Sequence, residues 1–330
     1  MLKIKPLESI AELGPRLQKA IQSIPKNDHY VIALSGGMDS VALLYFCLPF
    51  LKQHAKQIEA VHVNHGLSAN ASEWASFCQE ICSCLDLVCH VESVEVCSTG
   101  KGIEAAARKA RYGVFERYLS EGGVLLQGHH LNDQAETVLM RLIKGLGPSA
   151  IKGIPTRRRF SLGEIYRPWM KLSRVELSGA VAKFALPWVE DESNQDKRFE
   201  RNFIRNEILP VLLDRHPKVL ENLSQAANKA KASQDFIEQW CQAKESDFLS
   251  KTYGAYKALD ISALKANTSL QQVFILRYWF DLLSVPHPPD KIFDRLFTEV
   301  LTAKADATPA RVNPCFIKRV LQPEPGPCYG

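Results

Sequence analysis

The chain has 330 residues, of which 46% are apolar and 23% charged. These values exclude a disordered, fibrous or membrane-embedded chain, and the length suits two domains rather than one core. The net charge is +5, and residues 151–215 hold thirteen Lys/Arg against nine Asp/Glu, a basic stretch that suits either a polyanionic partner or an ordinary solvated surface.

No apolar run approaches the roughly 20 residues that cross a bilayer, and Met1 to Pro6 leads into no signal-like segment. The expectation is a cytoplasmic protein with no membrane partner. Nine cysteines, an odd number, fit a reducing compartment with thiols left free and mostly in the core.

In chain order, short β-branched runs at 29–34, 58–64, 88–96 and 124–127 alternate with segments of helical periodicity. Such alternation predicts an α/β domain, a parallel twisted sheet with helices on both faces. In sheets of this kind ligands bind beyond the carboxyl ends of the strands. A basic hairpin or loop is expected around Arg157-Arg158-Arg159, then a strand-like piece at 165–170 and a helix from Ser173 with Glu176 closing a capping box. An amphipathic helix over 199–213 carries Arg201 and Arg205 beside its apolar side, with Pro210 bending or ending it. A boundary at His216-Pro217 divides a domain 1–215 from 216–330, which reads as helical at 219–249 and 269–283.

The chemistry sits after the strand runs. Ser35-Gly36-Gly37-Met38-Asp39-Ser40 follows the first: two glycines allow close approach, and helix-start amides face an anion. The loop lacks Lys and is not a Walker pattern. Ser35 and Ser40 can donate to phosphate, whereas Asp39, itself an anion, makes sense there with a divalent cation between. His62 stands at the end of the second run, where a structural and a ligand role are about equally expected. Glu104, Arg108 and Arg111 share one helix face, which alone fits a surface salt-bridge ladder. After the fourth run His129, Asp133 and Glu136 fall on one face; two carboxylates there can hold a metal on phosphates or grip ammonium groups.

The hexapeptide at 35–40 resembles the pyrophosphate-binding loop of the N-type ATP pyrophosphatases, whose fold is adenine nucleotide alpha hydrolase-like. The stretch Gly128-His129-His130-Leu131-Asn132-Asp133-Gln134-Ala135-Glu136-Thr137 and the segment Arg201-Asn202-Phe203-Ile204-Arg205 before Leu209-Pro210 resemble the tRNA(Ile)-lysidine synthetase family. The chain departs from that family's usual pair of Asp at Asn132. The resemblance covers roughly 29–215.

It implies ATP and Mg²⁺ as cofactors, with Ser35, Gly36, Gly37, Met38, Asp39, Ser40 and His62 holding the nucleotide, and Asp39 and Asp133 the metal. Asp39, Arg111, Asp133 and Glu136 are then catalytic, and His129, Asp133, Glu136, Arg201 and Arg205 contact substrate. The implied reaction adenylates the C2 carbonyl oxygen of the first anticodon cytidine in tRNA(Ile) with a CAU anticodon, after which L-lysine displaces AMP. A homodimer is left open, and 216–330 is expected to bind tRNA. The rivals are a tRNA thiolase of the same fold, which would want a paired Cys set that Cys82, Cys84 and Cys97 do not make, and a non-catalytic RNA-binding module, which has no use for Asp39, Asp133 and Glu136 together.

Overall fold

A computed structural model describes residues 2, 4–66, 68–96, 103–145, 151–253, 256–285, 310–312 and 315–317. The expectation placed on Cys97 lies outside these, as does the side chain of Glu104. Two compact units emerge, Met1–Lys231 and Ala232–Gly330.

Unit 1 is built on a six-stranded sheet. Its strands are β1 (His29–Ala33), β2 (Gln57–Asn64), β3 (Val88–Ser93), β4 (Val124–Leu126), β5 (Arg157–Phe160) and β6 (Gly163–Tyr166), in the spatial order β3-β2-β1-β4-β6-β5. All neighbours run parallel except the β5/β6 hairpin. The helices interleaved with them are α1 (Pro15–Gln22), α2 (Met38–Lys52), α3 (Ala71–Cys84), α4 (Ile103–Tyr118), α5 (Leu131–Ile143) and α6 (Arg174–Lys183). The sheet is apolar on both faces. Tyr30 and Ile32 point into one cluster with α2, while Val31, Val61, Leu125 and Ile165 point into another with Val114 and Phe115 of α4. This is the alternation of a strand buried on both sides.

From β1 the chain moves outward to β2 and β3, then returns to β4 on the other flank of β1. The sheet order therefore reverses between β1 and β4, paired as Tyr30↔Val124, Val31↔Leu125 and Ile32↔Leu126. A crevice opens above such a switch point, flanked by the two loops that leave the adjoining strand ends.

The capping box at Ser173 and Glu176 forms as the spacing predicts. The last parallel strand stops at Tyr166, and Pro168–Lys171 is a 3-10 turn rather than strand. The segment 200–215 is helical, with a π-turn at Ile204–Ile208 ahead of Pro210. Proline lacks the N–H that a regular turn would use, and a wide turn before it absorbs the mismatch.

A long helix, α7 (Val219–Ala243), runs past the expected boundary at 216. Its first turns bury Leu220 with Leu131, Ala135, Ile204 and Leu209, which is why the compact unit extends to Lys231. In unit 2, Cys241 and Phe248 pack with Leu264, Ile275, Leu276 and Phe280, the last three from α8 (Ser269–Leu282). A small hairpin of Leu249–Tyr253 and Tyr256–Leu259 occupies the stretch between the two expected helices, for which the sequence predicts no element. Among the described residues no helix is long and apolar enough to cross a membrane, and Cys47, Cys78, Cys82, Cys84, Cys89 and Cys241 are free thiols.

Candidate active site

The loop after β1 is a preformed turn. Gly36 has φ +85°, and a side chain there would start 2.8 Å from Val189 Cγ2; Val189 N–H in turn donates to the Gly36 carbonyl at 3.0 Å. Gly37 is the N-cap of α2 and offers no side chain to the helix start, so the first amides, at Met38 and Asp39, stay open to an anion. Ser40 Oγ accepts from the Ser35 amide (3.2 Å) and donates to the Gly37 carbonyl (2.8 Å). Ser35 is exposed and can turn outward. Met38 buries its side chain in the core and can serve a ligand only through its backbone.

The loop after β4 closes against this turn. Gly128 lies so near α2 that a Cβ would stand 2.8 Å from the Asp39 carbonyl oxygen. His130 caps α5: Asp133 N–H points at its Nδ1 (3.4 Å), while the His130 amide donates to Asp133 Oδ2 (2.8 Å). His130 Nε2 lies 3.4 Å from Asp39 Oδ2. One imidazole thus spans the two carboxylates that the sequence placed on different loops. Burial opposes a charge on His130, yet the negative groups of Asp133 and Asp39 outweigh it and raise its pKa above the usual histidine range.

Asp133 and Glu136 do not face the crevice with free oxygens. Glu136, 0% exposed, accepts from Arg201 Nε at 2.7 Å and from Arg205 Nε at 2.7 Å. Asp133 Oδ1 accepts from Arg201 Nη2 at 2.8 Å and Arg205 Nη2 at 3.4 Å. Burial would push the Asp133 carboxyl up, but His130 and Arg201 hold it well below the usual carboxylate range. Both oxygens of Asp133, expected on the metal, already accept hydrogen bonds from His130 and Arg201. Arg201 and Arg205, expected on substrate, are the partners of these carboxylates in this structure. Asn132, where the family usually has Asp, accepts from the Arg174 amide at 3.0 Å and helps to start α6.

His62, expected among the residues that hold the nucleotide, has a buried side chain near the end of β2. It is 4% exposed, and its ring donates through Nδ1 to the Leu34 carbonyl at 3.0 Å, with Cys78 Sγ at 3.3 Å. Burial lowers its pKa, so it works as a neutral brace joining the ends of β1 and β2. Arg111 does reach the rim: its charge depresses both His65, after β2, and His129, after β4, adding in each case to burial.

Two residues escape the sequence reading. Arg167, just beyond β6, is 1% exposed and hydrogen bonds to Pro155, Gln127 and His129. Tyr112 is crowded by Arg108 and Arg158, 4.9 and 5.2 Å from its ring centre. Burial alone would raise that phenol, but the surrounding guanidiniums bring it down to about 8. The strand run assigned to 165–170 hid Arg167 as a mid-strand residue; a strand ended by Pro168 would have placed it on the ligand-binding edge.

For Mg²⁺ the fit rests on Asp39. Its Oδ1 is buried without a hydrogen-bond partner among the described residues, and a bare carboxylate oxygen beside open helix-start amides suits a hard cation shared with phosphate. No cluster of three or more His, Cys, Asp or Glu among the described residues makes a cage of its own.

The strand-turn-helix, its open amides and the switch-point crevice define a nucleotide-binding α/β protein, and a family model of the PP-loop domain matches residues 11–212. A second model, the TilS substrate binding domain, matches 259–319. Among similar proteins are tRNA(Ile)-lysidine synthases from Coxiella burnetii, 36% identical over 89% of this chain and 65% of that one, and from Vibrio atlanticus, 34% identical over 90% and 68%. The chain belongs to the tRNA(Ile)-lysidine synthase family. It spans about two thirds of the length of these relatives. Among solved structures, a U34-tRNA thiolase from Methanococcus maripaludis has the same fold, with TM-score 0.52 at 17% identity over 65% of this chain and 76% of that one.

Proposed function

We propose that this chain joins L-lysine to C2 of the first anticodon cytidine of tRNA(Ile) bearing CAU, consuming ATP and releasing AMP and pyrophosphate. The observation that carries this reading is the link Asp39–His130–Asp133, which joins an anion-binding helix start to a cluster of both charge signs on one sheet edge.

In this reading the amides at the start of α2, with Ser35 and Ser40, hold the phosphates, and Asp39 holds Mg²⁺. The ion would supply charge neutralisation at the α phosphate, so that a weak carbonyl nucleophile can approach. Asp133, Glu136, Arg201 and Arg205 form the amino-acid site. Lysine carries two ammonium groups and a carboxylate, and a cluster of two carboxylates and two guanidiniums can exchange internal pairs for pairs with it. A carboxylate of this cluster takes the proton from the attacking amine. Arg111 adds positive charge on the rim, and catalysis lies within 1–215, with 216–330 holding tRNA.

The test is incorporation of label. Purified protein, ATP, Mg²⁺, labelled lysine and total tRNA should give label in tRNA that depends on ATP, and absence of label with intact ATP binding would overturn the reading. A second expectation concerns the basic hairpin at Arg157-Arg158-Arg159. Affinity for tRNA should fall steeply as salt rises, and Arg158→Ala should make the slope shallower by about one counterion. Filter binding across a salt series measures both, and a flat dependence would remove the hairpin from the interface.

A further inference from the structure

Arg167 is a cation enclosed by protein, and its position decides how a neighbouring ring can act. It follows β6, whose last residue pairs with Leu126 of β4, so it stands on the same edge as the loop 127–130. Nη1 donates to the Pro155 carbonyl at 2.7 Å, Nη2 to Gln127 Oε1 at 2.8 Å, and Nε to His129 Nδ1 at 3.3 Å. Burial draws the guanidinium down to about 10, which leaves it charged at neutral pH.

A guanidinium only donates. The ring atom it meets must therefore accept, so His129 carries a lone pair on Nδ1 and its hydrogen on Nε2. Burial holds this imidazole down at about 3; Asp133 acts against that, and the charges of Arg167, Arg201 and Arg111 act with it. Nε2 has no hydrogen-bond partner among the described residues, and it is not among the buried polar atoms left unsatisfied.

We infer that Arg167 is a positioning residue that fixes His129 as a neutral ring with Nε2–H offered to an oxygen of the substrate. This rests on the adenylation reading above. It assigns His129 a definite sign: a hydrogen-bond donor to an oxygen gathering negative charge, a phosphoryl oxygen of ATP or the pyrimidine carbonyl, and not the base that takes a proton from the amine. Neither nitrogen is available for that task, because Nδ1 faces a cation and Nε2 already holds a hydrogen.

The decisive measurement is nitrogen-15 NMR of the histidine rings in the full chain, with His129 assigned by its loss in His129→Gln. The expected spectrum has Nδ1 unprotonated and Nε2 protonated, unchanged between pH 8 and pH 5. A signal titrating near the ordinary value of about 6.5, or the opposite tautomer, would overturn the lock. Arg167→Lys should release it to a mixture of tautomers. Adding Mg-ATP should shift the Nε2–H resonance if the acceptor is a phosphoryl oxygen; a shift only with tRNA would assign the carbonyl, and no shift with either would refute the donor role.

Pyrophosphate release with tRNA but without lysine gives the kinetic counterpart. His129→Gln, whose amide reaches about as far as Nε2–H, should keep activity within roughly tenfold, while His129→Leu loses about 10- to 100-fold. Equal losses in the two would instead mark a base. An enzyme silent in this assay with the tautomer intact counts against the adenylation reading, whereas an active enzyme with a free tautomer counts against the lock.

Discussion

Asp39→Asn is expected to lower pyrophosphate release from ATP in the presence of tRNA by about 10²- to 10³-fold, the usual cost of removing one preorganised charge from a developing anionic centre. Asparagine keeps the shape and one acceptor oxygen, so α2 should start as before and thermal stability should hardly move. What is lost is the charge that a buried, unpartnered Oδ1 presents beside the open amides. A single-turnover assay without lysine isolates the step. Retention of near-normal release would show that the cation, and with it the role given to Asp39, lies elsewhere.

The second large effect concerns stability and substrate together. Glu136→Ala removes an acid with 0% exposure that holds Arg201 and Arg205, whose side chains are 26% and 23% exposed. Breaking one side of a buried ion pair costs about 3 to 5 kcal/mol. Water still reaches the guanidiniums, so the lower end applies, and a loss of about 3 kcal/mol corresponds to roughly 6 to 12 °C in Tm for a unit of this size. Glu136→Gln should be milder in Tm yet raise the KM for lysine by about tenfold or more with little change for ATP, because a charge-assisted contact contributes about 1.5 to 3 kcal/mol. Differential scanning fluorimetry and lysine titration read the two separately. If Tm stays fixed in Glu136→Ala, the four-charge cluster is not holding the 200–215 segment to α5.

The strand alternation at 29–127 made the parallel sheet legible, because a strand buried on both faces leaves a continuous apolar run that a helix of similar length does not share. The helix-start loop was legible too: Gly36 takes a positive φ and Gly37 is the N-cap of α2, as a tight strand-to-helix turn requires. Partner choice was not legible. Nothing in the spacing of His129, Asp133 and Glu136 says that two arginines some seventy positions later close over two of them and that a third, Arg167, turns the first; such pairings are set by how β6 and the 200–215 segment return to the sheet. His62 shows the converse. Its strand-end position fits a ligand contact, but the rotamer chosen by burial sends the ring to the Leu34 carbonyl. The hairpin at 249–259 was missed because it is short and set among helical periodicities, where local pattern carries little weight.

The reversal of sheet order between β1 and β4 also constrains when the protein can begin to work. Asp39 and His130 meet only after the intervening excursion through β2 and β3 has folded back, and Arg167 arrives later still with β6. A nascent chain leaving the ribosome therefore passes through a long interval in which the turn at 35–40 has been synthesised but lacks the loop that braces it. The bracing of Asp39 by His130, and of His129 by Arg167, is therefore complete only once β6 has been made and has joined the sheet.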